Sequence, residues 1–104
     1  MEEKKDLIEI DENEREKLIS ILAEELPVLR AKIGLSQTEL SNIVGISRQT
    51  YSAIETKKRA MSWGTFLTLA LFFEHNEKTR PILVNIGAFP VELEQMLNIN
   101  KRGG

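Results

Sequence analysis

Arg48, Gln49, Thr50 and Ser52 stand together in the stretch SQTELSNIVGISRQTYSAIE, residues 36–55. A guanidinium fork, a carboxamide and two hydroxyls are groups that recognise polar partners by hydrogen bonding. They are not arranged to break bonds. His75 is the only histidine and the chain has no cysteine, so it has no thiolate or paired-histidine metal site. No H-E-x-x-H, no G-x-S-x-G and no phosphate-cradling glycine loop occurs. We therefore expect no catalytic residue, no metal and no cofactor; His75 reads as a complement to a helix C-terminal dipole.

Charge sharpens the picture. The 104 residues carry a net charge of −2, yet it is unevenly placed. Residues 1–25 hold ten acids against four bases, a balance of −6. Residues 26–63 hold six bases against two acids, a balance of +4, and residues 64–104 are neutral. The positive charge thus surrounds the polar stretch, a pattern that points toward a polyanion.

These side chains need elements to position them, and the pattern throughout is helical. The segment DLIEI alternates weakly and fits a short edge strand or a disordered arm. Asp11 with Glu14, or Asn13 with Glu16, fits a helix start. Leu18, Leu22, Leu29 and Ile33, with Ile19 and Leu26 beside them, then share one face. Pro27 splits this run into two helices or kinks one, and Gly34 closes it in a left-handed cap. Ser36 and Glu39 form a capping box for a helix with Leu40, Ile43 and Val44 inward, and Gly45 ends it.

Ser47 caps the next helix, with Tyr51 and Ile54 inward and Arg48, Gln49, Ser52 and Ala53 outward. TKKRAM is a basic loop. Ser62 caps a helix through about His75 that is apolar nearly all round, so its second face must meet the C-terminal tail or another subunit. Tyr51 and Trp63 read as packing residues. Short helices follow at Thr79–Ile86 and from Pro90 through Leu97, and KRGG is a mobile end. The apolar run FLTLALFF is too short to span a bilayer, and the charged N-terminus lacks a signal-like core. We expect a soluble, cytoplasmic protein without membrane contact.

Two short helices joined by a glycine-containing turn form a helix-turn-helix unit. The stretch LRAKIGLSQTELSNIVGISRQTYSAIETKKRAMSWGTFLTLA resembles the phage-repressor and Cro-type (XRE-like) helix-turn-helix family. Arg30, Leu35-Ser36-Gln37, Glu39-Leu40, Val44-Gly45-Ile46-Ser47, Ser52 and Ile54-Glu55 carry the resemblance, with Ser62, Thr65, Leu67 and Ala70 downstream. The chain departs from the family where TKKRAM replaces a glycine-containing loop and where Tyr51 takes an aliphatic site.

The resemblance implies an all-α, lambda-repressor-like domain at residues 26–75. An acidic N-terminal arm or helix, 1–25, would precede it and a helical tail, 76–104, would follow. It implies that the second helix enters the major groove of double-stranded DNA, with Arg48, Gln49 and Ala53 on bases and Thr50 and Ser52 on base or phosphate. Gln37 would meet a phosphate at a helix N-terminus, and Lys57, Lys58 and Arg59 would clamp the backbone. The expected function is a transcriptional regulator, a repressor acting as a homodimer on a palindromic operator. The alternative is an antitoxin-type protein that binds a partner protein, through the acidic arm if that partner is basic, and represses its own operon.

Overall fold

The computed structural model describes residues 10–88 and Gln95. Among the described residues, five helices follow one another: α1 (Glu12–Ile33), α2 (Gln37–Val44), α3 (Arg48–Glu55), α4 (Trp63–Glu74) and α5 (Arg80–Ile86). The fold is all-α, as the sequence implies. Most of the DLIEI segment, the helix expected from Pro90 and the terminal KRGG lie outside the described residues.

Helix α1 starts where Asp11 accepts the Glu14 amide at 2.8 Å. Acids in its first turn and Arg30 and Lys32 in its last complement the helix dipole at both ends. It is one continuous helix across Pro27, so the boundary expected after residue 25 falls inside it. Pro27, which has no N–H to give the Ala23 carbonyl, lies on the exposed side of the helix. Leu18, Leu22, Leu26 and Leu29 make its buried stripe. Each contributes roughly 1.5–3 kcal/mol by leaving water. Gly34 closes the helix at φ 70°, and Leu35 N–H returns to Arg30 O at 3.1 Å, fixing the exit toward α2.

Helix α2 carries the expected capping box, Ser36 with Glu39. Its inward face differs from expectation. Leu40 and Ser41 are buried, Val44 is half-buried, and Ile43 is 47% exposed. Ser41 tolerates burial because its hydroxyl donates to Thr38 O at 2.9 Å, which satisfies the polar group. Gly45, at φ 87°, makes the turn into α3.

Helix α4 packs against α1, α2 and α5, burying Phe66, Leu69, Ala70 and Phe73. The tail thus supplies one cover for its apolar surface, through α5. Thr79 fixes the junction: its hydroxyl is buried and donates to Phe73 O at 2.6 Å. Trp63 stacks on Phe66 at 4.8 Å between centroids while the Arg15 guanidinium lies 5.4 Å from its ring. That pins the start of α1 to the start of α4.

Candidate nucleic-acid interface

Helix α3 presents its first turn outward because its other side is fully committed. Ser47 accepts the Thr50 amide at 3.0 Å and caps the helix, while Tyr51 and Ile54 are buried. Arg48 and Gln49 then stand exposed at the first two positions; Thr50, Ser52 and Ala53 are half-buried beside them. The Thr50 hydroxyl also lies 2.9 Å from Ser47 Oγ, so part of its hydrogen-bonding capacity serves the cap.

The basic loop is folded back on the end of this helix. Lys58 and Arg59 amides both donate to Ala53 O, at 2.9 and 3.2 Å, and Lys57 N–H donates to Ile54 O at 3.1 Å. Five residues expected at a DNA surface, Arg48, Gln49, Lys57, Lys58 and Arg59, are all exposed on α3 and its exit loop. Lys57 has φ 66°, the left-handed conformation that the missing glycine would adopt without strain. Its ammonium pairs with Glu24 of α1.

Gln37 is placed differently from a free surface amide. Half-buried at the start of α2, it donates from Nε2 to Glu55 Oε1 at 2.7 Å. Glu55 is a residue whose role the sequence reading missed. Its oxygens also accept Arg30 Nε at 2.8 Å, Arg30 Nη2 at 3.0 Å and the Tyr51 hydroxyl at 2.7 Å. Arg30 Nη1 continues to Leu35 O at 2.9 Å. One carboxylate thereby fastens α1, the start of α2 and the end of α3. A signal existed in the sequence: Tyr51 and Glu55 lie one turn apart on the inward side, where an acid needs donors.

The electrostatics agree with that geometry. Burial, the largest single influence on Glu55, raises its pKa. The hydrogen bonds from Arg30, Tyr51 and Gln37 together outweigh burial and hold the carboxyl below its ordinary value. Burial and the bond to Glu55 push the Tyr51 hydroxyl well above the ordinary phenol range, and Glu55 raises Arg30.

A family model described as helix-turn-helix matches residues 29–73, the span from the end of α1 through α4. This segment belongs to the XRE, or lambda-repressor-type, helix-turn-helix family. A domain of this family supports a DNA-binding regulator of transcription. Comparison with curated proteins and with solved structures gives no match. In the domain, α2 and α3 are the two helices of the unit, joined by the turn at Gly45. Among the described residues no group of three or more His, Cys, Asp or Glu could hold a metal. None of the described helices is long and apolar enough to cross a membrane.

Proposed function

We propose that the protein reads a specific DNA sequence through α3 and represses transcription as a homodimer on a palindromic operator. The observation that carries this reading is the exposure of Arg48 and Gln49 on the first turn of a capped helix whose opposite side is locked. Arg48 suits guanine O6 and N7 and Gln49 suits adenine N6 and N7, each worth roughly 1–3 kcal/mol of discrimination. Ala53, Thr50 and Ser52 complete the reading surface. Lys57, Lys58, Arg59 and Gln37 hold phosphates and set the register.

Dimerisation places two recognition helices about one DNA turn apart, in major grooves of two half-sites. Ile43 and Leu71, 47% and 36% exposed, line one apolar groove with half-buried Phe72, which supports this face as the contact between copies. Light scattering on the eluted protein tests it; a monomer that binds one half-site tightly removes the dimer.

The deciding experiment is selection from random duplex DNA at fixed salt, run beside a variant with Arg48→Ala and Gln49→Ala. One enriched palindrome, lost in the variant, is the expected result. Salt-sensitive binding with no enriched sequence, unchanged in the variant, removes sequence reading. The antitoxin reading rests on the exposed acids Glu12, Glu14 and Glu16 on α1, a surface suited to a basic partner rather than DNA. A stoichiometric basic protein co-purifying with the chain supports that second reading.

A further inference from the structure

Tyr51 is fully buried, and its hydroxyl has a consequence beyond packing. A carboxylate offers about four acceptor positions. On Glu55 all four are taken: Oε1 by Gln37 Nε2 and Arg30 Nη2, Oε2 by Arg30 Nε and the Tyr51 hydroxyl. The last torsion of a glutamate is soft and roughly two-fold, so a carboxylate held by few partners is free to swing. The Tyr51 bond at 2.7 Å completes the set and fixes the carboxylate plane. Gln37 is tied to the other oxygen of that plane, so its carboxamide orientation follows. With one Nε2 hydrogen on Glu55, the second points away from Glu55, at the first position of α2, where helix amides add partial positive charge.

We propose that Tyr51 is a positioning residue for DNA binding, acting through Glu55 to hold Gln37 with its second side-chain N–H aimed at a DNA phosphate. This rests on the reading above that places Gln37 at the backbone. It assigns a binding role to a buried aromatic that touches no DNA.

A double-mutant cycle on the full chain tests it: Tyr51→Phe, Gln37→Ala and the pair, titrated with a labelled random-sequence duplex. Measurements are made well below each variant's unfolding transition. Tyr51→Phe weakens binding roughly 3- to 10-fold, the worth of one hydrogen bond, and adds nothing in the Gln37→Ala background. The slope of affinity against salt stays constant throughout, because a neutral amide releases no counterion. Equal weakening with and without Gln37, or none at all, overturns the proposal and leaves Tyr51 a packing residue. Should Tyr51→Phe not fold, the side-chain amide NMR signals of Gln37 in the wild type decide. A shift on adding duplex supports the proposal, and signals unmoved by saturating duplex overturn it. A wild type that does not bind the duplex pool overturns the DNA reading itself, an outcome separate from those above.

Discussion

Arg30 Nε lies 2.8 Å from Glu55 Oε2, and this contact joins two residues 25 positions apart on α1 and α3. The side chains are 21% and 6% exposed, so the pair is largely out of water. The Arg30 fork meets both carboxylate oxygens, a bidentate geometry that lysine does not reproduce. Helix α3 is therefore held from behind by the scaffold, and Arg48 and Gln49 on its first turn stay exposed.

Glu55→Ala strips four donor groups, on Arg30, Gln37 and Tyr51, of their acceptor at once. Removing one member of a buried pair costs roughly 3–5 kcal/mol. Residual exposure of Arg30 places the expectation at the lower end, about 3 kcal/mol. Arg30→Lys keeps the charge but not the fork and costs about 1–2 kcal/mol. Urea unfolding followed by helix circular dichroism measures both. A Glu55→Ala loss below about 0.5 kcal/mol, within the range of surface changes, contradicts the described network.

Lys57 gives the opposite sign. A non-glycine residue at its φ of 66° bears a left-handed strain of roughly 1–2 kcal/mol. Glycine relieves that but loses more entropy on folding, about 0.5–1 kcal/mol. The exposed pair with Glu24 adds little. Lys57→Gly is expected to gain about 0.5 kcal/mol, a rise of roughly 2–4 °C in Tm. Lys57→Val is expected to lower Tm. A Tm that falls in Lys57→Gly refutes the strain account.

Much of this is legible in the sequence, because caps and turns are written locally. Ser36 with Glu39, Ser47, Ser62, Gly34 and Gly45 each announce a helix end within four residues of themselves, and each stands where expected. What was not legible depends on distant partners. Tyr51 reads as a packing residue; that its hydroxyl meets an acid held by Arg30 is set by how α1 crosses α3. Pro27 suggests a break, yet α1 continues because the proline falls on the exposed side, which the local pattern did not decide. Leu40 is buried as expected, but Ile43, which fits the same apolar stripe, is exposed and α2 buries Ser41 instead. The side chains of the candidate interface were readable by type and spacing, whereas the commitment of Gln37 to Glu55 was not.

The network also sets the pH response at both ends. The folded pKa of Glu55 lies below its ordinary value, so its contribution is present above about pH 4.3 and is lost as pH falls through the folded value. Tyr51 is raised, so its contribution is intact below about pH 10 and is lost as pH rises further. Tyr51 is the only tyrosine in the chain, so phenolate absorbance reports this group alone. Alkaline titration is expected to show no ionisation near pH 10 while the helices persist, and phenolate appearing together with unfolding above it. A reversible phenol titration near pH 10 in the folded protein would falsify the buried Tyr51–Glu55 bond.

If Lys57 meets a phosphate as proposed, its pairing with Glu24 makes α1 a competitor of DNA for a loop cation. Both side chains are more than half exposed, so the pair is weak and exchanges readily with a phosphate. Glu24→Gln frees the ammonium and removes a negative charge from its surroundings. DNA affinity is then expected to rise about two- to fivefold at low salt, an effect on the order of 0.5–1 kcal/mol typical of exposed charges. The gain should shrink as salt rises and screens it. Lys57→Gly, by contrast, should reduce the salt slope by about 0.9, the release of one counterion. In the Lys57→Gly background Glu24→Gln should give a smaller gain, because the competitor has lost its cation. Fluorescence anisotropy with a labelled duplex across a salt series reads all three variants. Equal effects of Glu24→Gln with and without Lys57 would assign the change to the general field of the acidic helix rather than to this pair.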